Sequence, residues 1–239
     1  MIDYVIHSHT RIVYALSHVT RWGEARCYDK RLRAVVQACR LDRAVGRRRV
    51  VAGRGRWVRR RTAIASGDTQ SVVLAFGDSL TSGEGADEEQ SYPAVLARLL
   101  GCEVVNGGVA GEITQQGVAR LPEMLLDHRP QMVIICFGGN DMLRKLDDEV
   151  ITRNLREMIR AAHQAKADVI LIGVPRPGLL LRAPSFYQEV AEEFGLVYED
   201  KIVAKILSRP TLKSDLIHPN AKGYRRLAER LADVIRKNS

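Results

Sequence analysis

A serine hydroxyl is a poor nucleophile until an imidazole takes its proton, and the imidazole needs an acceptor on its other nitrogen to fix its tautomer. Two short segments of this 239-residue chain carry that set of groups. The first is Gly77-Asp78-Ser79-Leu80, directly after an apolar run. The second is Asp215-Leu216-Ile217-His218-Pro219, where an Asp three residues ahead of a His can orient it within a turn held by the proline. Taken singly, each also reads as an ordinary turn, since Gly, Asp and Ser cluster at turns and an Asp ahead of a helix forms Asx turns. The G-x-S-x-G elbow is not matched, because Thr81 stands where its second glycine belongs.

Acyl transfer also requires N–H donors aimed at the oxyanion that develops on the attacked carbonyl. Two further segments offer them. Asn106-Gly107-Gly108-Val109-Ala110-Gly111 presents backbone N–H groups beside small residues, and Gly138-Gly139-Asn140-Asp141 presents the side-chain amide of Asn140. Four such segments coincide by accident much less readily than one.

The elements that must position them are legible from Ser71 onward, where short apolar runs alternate with amphipathic stretches in the manner of β-α units on a parallel sheet. Strands are expected at 72–76, 103–106, 132–137 and 168–173, with a weaker one at 196–198. Helical stripes run through Tyr92, Val95, Leu96, Leu99 and Leu100, through Val118, Leu121 and Leu125, and through Val150, Ile151, Leu155, Met158 and Ile159. The clearest comprises Tyr224, Leu227, Ala228, Leu231, Val234 and Ile235. Near-continuous apolar strands imply a sheet covered on both faces, hence a three-layer α/β/α domain with a five-stranded parallel sheet and right-handed crossovers. Ligands of such sheets bind outside the carboxyl ends of the strands. Three of the four segments follow strands, and the fourth precedes the last helix.

Together the segments resemble the SGNH/GDSL hydrolase family over about residues 72–237. Within it they are similar to the bacterial acyl-CoA thioesterases, lysophospholipases and arylesterases, through Gly77-Asp78-Ser79-Leu80, Gln115-Gln116-Gly117-Val118-Ala119-Arg120-Leu121-Pro122 and Gly138-Gly139-Asn140-Asp141. The resemblance implies a flavodoxin-like fold, Ser79 as nucleophile, His218 as general base and Asp215 as its orienting acid. It implies an oxyanion hole made of the N–H of Ser79, the N–H of Gly111 and the amide of Asn140. Gly111 is preferred to the more conspicuous Gly108 because the family's functional glycine precedes an Asp-Thr pair and the Gln-Gln-Gly run. Here Glu112 and Ile113 replace that pair, and Leu216 replaces a commonly small residue in the Asp/His turn; both departures bear on substrate fit.

The implied reaction is cleavage of a carboxylic ester or thioester through an acyl-enzyme, with no metal and no cofactor. A carbohydrate O-acetyl esterase of the same fold is the alternative. For the acyl group, Met142, Leu143, Pro177, Leu179 and Leu180 are the candidate apolar wall, and Arg144 and Arg182 are candidates for an anionic head group. A nucleotide- or flavin-binding module using residues 77–85 is a competing reading, but no G-x-G-x-x-G or G-x-x-x-x-G-K-[ST] pattern is present, and it leaves Asp215 and His218 unexplained.

The formal net charge of +9 invites a nucleic-acid reading until its distribution is examined. Residues 1–70 hold 16 Lys+Arg and 5 Asp+Glu, so the remainder, 71–239, is net −2. The chain therefore divides into an arginine-rich extension, 1–70, expected to be disordered or loosely structured, and a hydrolase-type domain, 71–239. A stretch at 29–43 can form one amphipathic helix on Leu32, Val35, Val36 and Cys39, too small a face to offset the entropy of ordering it. Three readings of the extension stay open: a solvated leader, an arm attracted to nucleic acid or anionic lipid, and a targeting segment. No nucleic-acid partner is expected for the catalytic domain, which is taken as a monomer.

Apolar runs fall far short of the roughly 20 residues of a spanning helix. Residues 1–16 are interrupted by Asp3, two His and Arg11, so no secretory signal is recognised and a cytoplasmic protein is expected; a misassigned N-terminus leaves a periplasmic or secreted one open. Cys27, Cys39, Cys102 and Cys136 show neither zinc nor redox spacing.

Overall fold

The computed structural model describes residues 71–178 and 181–238. The expectations for residues 1–70, and those for Leu179 and Leu180, lie outside the described residues.

Five apolar segments form five parallel strands: β1 Val72–Gly77, β2 Glu103–Gly108, β3 Met132–Cys136, β4 Asp168–Ile172 and β5 Val197–Glu199, in the order β2-β1-β3-β4-β5. The central strands are buried on both sides, with Val73 to Phe76 and Met132 to Phe137 at 0% exposure, which is why their sequences are continuously apolar instead of alternating. Each such Leu, Ile or Phe contributes on the order of 1.5–3 kcal/mol by leaving water. The loops that follow these strands thus hang from a rigid platform. β2 lies at an edge and exposes Glu103 and Asn106.

Helices cover both faces. One layer holds α2 (Tyr92–Leu100) and α8 (Ala221–Asn238), which pack together, with α7 (Ile202–Leu207) against α8. The other holds α3 (Thr114–His128), α5 (Asp148–Gln164) and α6 (Ser185–Phe194) in sequence. Two single-turn pieces, α1 (Ser79–Ser82) and α4 (Gly139–Leu143), begin immediately beyond β1 and β3. Every expected strand and long helical stripe is present. The helices α6 and α7 were not anticipated, although Phe186, Tyr187, Val190 and Ala191 of α6 fall at helical spacing.

The chain leaves β1 toward β2 on one side, then crosses back to β3 on the other. This reversal opens a crevice at the carboxyl ends of β1 and β3, the position where doubly wound sheets hold ligands. Among the described residues no helix is long and apolar enough to cross a membrane.

Candidate active site

β1 ends at Gly77, where a Cβ atom would lie 2.1 Å from Thr81 Oγ1 and 2.5 Å from the Cys136 carbonyl oxygen, so only glycine lets the chain turn this sharply. Asp78 then caps α1, its carboxyl accepting from Leu80 N at 3.0 Å. The cap is therefore Asp78, and Ser79 occupies the first helical position. At that position the N–H has no carbonyl partner within the helix. Tyr224 of α8, fully buried, steadies this turn by donating to the carbonyls of Glu84 (2.8 Å) and Ser79 (3.4 Å).

His218, the expected base, lies in the loop before α8. Lys213 and Pro219 form an antiparallel bridge, and Ser214 N donates to the His218 carbonyl at 3.0 Å, closing a tight loop around Asp215. Within it Asp215 Oδ1 accepts from the N–H groups of Ile217 and His218, both at 2.8 Å, while Oδ2 lies 2.7 Å from His218 Nδ1. His218 Nε2 faces Ser79 Oγ at 3.0 Å. Partial burial raises the Asp215 carboxyl, but the His218 hydrogen bond and the two backbone donors outweigh it and hold the group below the usual carboxylate range. An ionised carboxylate only accepts. Nδ1 of a neutral His218 therefore carries the ring proton, and Nε2 is left to accept from the serine hydroxyl.

Gly111 and Asn140, the other donors expected from the sequence, lie beyond the ends of β2 and β3. Gly111 adopts φ +78 in the loop beyond β2, where a Cβ would meet nothing within 4 Å; glycine answers the left-handed backbone there, not a lack of space. Gly108 differs. Its N–H is spent on Asn106 Oδ1 at 3.0 Å, and a Cβ there would strike Ser82 N. Asn140 Nδ2 donates to the Glu112 carbonyl at 3.0 Å, which fixes the plane of the amide and leaves its second N–H available. From β1, β2, β3 and the loop before α8, the fold thus gathers Ser79, Gly111, Asn140, His218 and Asp215 at one sheet end. Residues 75–226 match the GDSL-like Lipase/Acylhydrolase family.

The chain belongs to that family. It is 29% identical over 185 residues to an arylesterase of Vibrio mimicus, covering 73% of this chain and 92% of the relative. To the thioesterase 1/protease 1/lysophospholipase L1 of Escherichia coli K12 it is 30% identical over 176 residues, covering 70% and 83%. Its fold superposes on the crystal structure of TesA with a TM-score of 0.64 at 26% identity, over 71% of this chain and all of that one.

A GDSL-like turn places its Asp where no water reaches. Burial pushes the Asp78 carboxyl up from 3.8 to about 7; the Leu80 N–H opposes this, the Asp141 carboxylate adds to it, and His218 works weakly against it. The fold therefore favours the protonated form. Between about pH 4 and 7 the unfolded chain releases a proton that the folded chain keeps, so the stability owed to this group is full below about pH 4 and is lost as pH rises through about 7. Asp78→Asn stays neutral throughout. Its stability relative to the parent is expected to rise across that window by on the order of 4 kcal/mol. Urea unfolding of both proteins at several pH values measures it, and a constant difference would contradict the assignment.

Asp141, fully buried, is surrounded by donors: Thr114 N at 3.0 Å to Oδ2, and Thr114 Oγ1 at 2.5 Å to Oδ1. Asn154 Nδ2 in turn donates to Thr114 Oγ1 at 2.9 Å. This network pins the start of α3 to the Asn140 turn. Tyr187, on the unanticipated helix α6, donates to the Phe137 carbonyl at 2.6 Å and holds the strand end from which that turn departs. None of Thr114, Asn154, Tyr187 or Tyr224 was singled out from sequence as a supporting group. An Asp directly after Asn140 was the available signal, since a carboxylate in so apolar a stretch requires partners.

The expected acyl wall divides. Met142 is 5% exposed and lies within the core, whereas Leu143 is 45% exposed and Pro177 is exposed. Arg144, a candidate for an anionic head group, is committed to the Gly111 carbonyl at 2.9 Å. Arg182 is exposed.

Proposed function

We propose that this chain hydrolyses carboxylic esters and thioesters through an acyl-enzyme on Ser79. The observation that carries this reading is the unbroken relay from Asp215 Oδ2 to His218 Nδ1 (2.7 Å) and from His218 Nε2 to Ser79 Oγ (3.0 Å). His218 removes the hydroxyl proton as Ser79 Oγ attacks the carbonyl carbon, and Asp215 stabilises the resulting imidazolium. The carbonyl oxygen, now negative, receives the N–H groups of Ser79 and Gly111 and the second N–H of Asn140. As the tetrahedral intermediate collapses, the imidazolium returns its proton to the departing alcohol or thiol. A water activated by His218 then releases the acid and frees Ser79.

The relatives named as arylesterase and as thioesterase/lysophospholipase support both leaving-group classes. Contact with an aliphatic acyl chain is supported by three exposed apolar side chains beside the reacting groups: Val109 two residues before Gly111, Leu143 three after Asn140, and Leu216 between Asp215 and His218. Rapid mixing with p-nitrophenyl acetate is expected to release a burst of about one p-nitrophenolate per chain before the steady state. Hydrolysis with no burst and no acylated serine on acid quench would refute it.

Asn140→Ala is expected to lower kcat on the same ester by about 10² to 10³, with KM little changed, because its donor is used in the transition state. Steady-state kinetics checks this. An equal loss confined to KM would mean that Asn140 binds the substrate instead.

A further inference from the structure

The oxyanion glycine sits in an awkward place. Gly111 belongs to no strand or long helix, it follows an edge strand, and its N–H must hold a position to within a fraction of an ångström for the hole to function. Something must fix it. The loop is tied at one end by Val109 N to the Gly77 carbonyl (3.0 Å), and Glu112 N closes a turn on the Val109 carbonyl (3.2 Å). Those bonds fix the start of the loop, and Arg144 Nη2 adds a hold on the Gly111 carbonyl from the exposed side at 2.9 Å.

The side chain of the next residue supplies a second, buried constraint. Glu112 turns inward, 7% exposed, and is gripped by the guanidinium of Arg120 in a two-pronged pair, Nε to Oε1 at 3.0 Å and Nη2 to Oε2 at 2.5 Å. The same Nη2 donates to the Gly107 carbonyl at 2.9 Å, and the guanidinium carbon lies 4.4 Å from the centroid of the Phe76 ring. Phe76 stands in β1 three residues before Ser79 and packs on Phe137, with ring centroids 5.1 Å apart, three residues before Asn140. One arginine therefore touches the end of β2, the loop of Gly111 and the ring that underlies both the nucleophile turn and the Asn140 turn. On the other side, Asn140 Nδ2 holds the Glu112 carbonyl at 3.0 Å.

We propose that Glu112 and Arg120 are a positioning pair for the oxyanion hole, which sets Gly111 in register with Ser79 and Asn140. This rests on the acyl-enzyme reading given above. Stability alone is a poor explanation for the pair, because removing two charges from water offsets most of their attraction, and apolar residues of similar volume commonly replace such pairs at no loss. Lysine cannot substitute for the arginine, since it has neither the fork for the carboxylate nor the flat face for the ring.

The test compares Arg120→Lys, Arg120→Met, Glu112→Leu and the double variant Glu112→Leu/Arg120→Met on p-nitrophenyl acetate, with thermal midpoints measured alongside. The single apolar variants strand a buried charge and are expected to melt lower than the parent, while the double variant recovers its midpoint. kcat is expected to fall about 10-fold to 10²-fold in all four, with KM within about threefold of the parent, because a displaced donor is missed only in the transition state. Activity that returns with stability in the double variant, or a parental kcat in Arg120→Lys, overturns the pair's role. If the parent itself hydrolyses no ester, the acyl-enzyme reading falls as well; an active parent with an unaffected Arg120→Lys removes the positioning role alone.

Discussion

Ser79→Ala is expected to reduce kcat on p-nitrophenyl esters by on the order of 10⁶, the loss found when the nucleophile of a comparable serine triad is removed. The expectation follows from where the side chain sits. Ser79 Oγ is the atom that His218 Nε2 addresses at 3.0 Å, and the neighbouring hydroxyl of Ser82 is turned back onto the Ser79 carbonyl at 3.2 Å. The alanine variant keeps the donors of Gly111 and Asn140, so a small acceleration over water is expected to persist. The core should be untouched, because the hydroxyl makes no packing contact that a methyl group cannot replace and the turn is capped by Asp78. Steady-state assays at high enzyme concentration, with the thermal midpoint as a control for folding, distinguish lost chemistry from lost structure.

His218→Ala is expected to cost nearly as much, on the order of 10⁶ in kcat, and to add little to Ser79→Ala when the two are combined. The groups act as a unit: without Nε2 nothing accepts the hydroxyl proton, and without the hydroxyl the imidazole has no task. Non-additivity is the informative readout. Two residues that merely bound substrate at separate points would give losses that multiply. Asp215→Asn should fall less far, by about 10⁴, since an amide at that position still contacts Nδ1 but imposes the wrong tautomer. Raising the pH is expected to rescue His218→Ala in part, as hydroxide takes over the proton that the imidazole would remove, and the double variant should show no such rescue.

The extent to which this could be read from the sequence follows the range of the interactions. β1 and β3 are legible because burial on both faces demands continuous apolar runs, and α8 because its apolar stripe repeats over five turns. The Asp215–His218 unit is legible because its geometry is local: four residues and a proline close the loop that aligns it. Ser79 is partly so, since Gly77 announces a sharp turn, while which residue caps α1 depends on the direction Asp78 takes once buried.

What escaped the reading are contacts between residues brought together by topology alone. Arg120 meets Glu112, eight residues earlier across a loop-to-helix junction, and Phe76 from a different strand, so no periodicity links them. Tyr187 reaches the carbonyl of Phe137 from fifty residues away, a pairing that no local pattern announces. Met142 and Leu143 illustrate the same limit at closer range. Both are apolar, but one turn of helix sends the first into the core and the second outward, and the direction is set by how α4 docks under β3.

The central claim is that Ser79, and no other side chain, takes the acyl group. Treating the full chain with a fluorophosphonate and mapping the adduct by peptide mass spectrometry tests it most directly, because phosphonylation requires both the activated hydroxyl and the donors that receive the negative oxygen. The predicted result is one adduct per chain, on Ser79, accompanied by complete loss of esterase activity and absent in His218→Ala. An adduct on any other residue, or full activity in a chain quantitatively labelled at Ser79, would contradict the account.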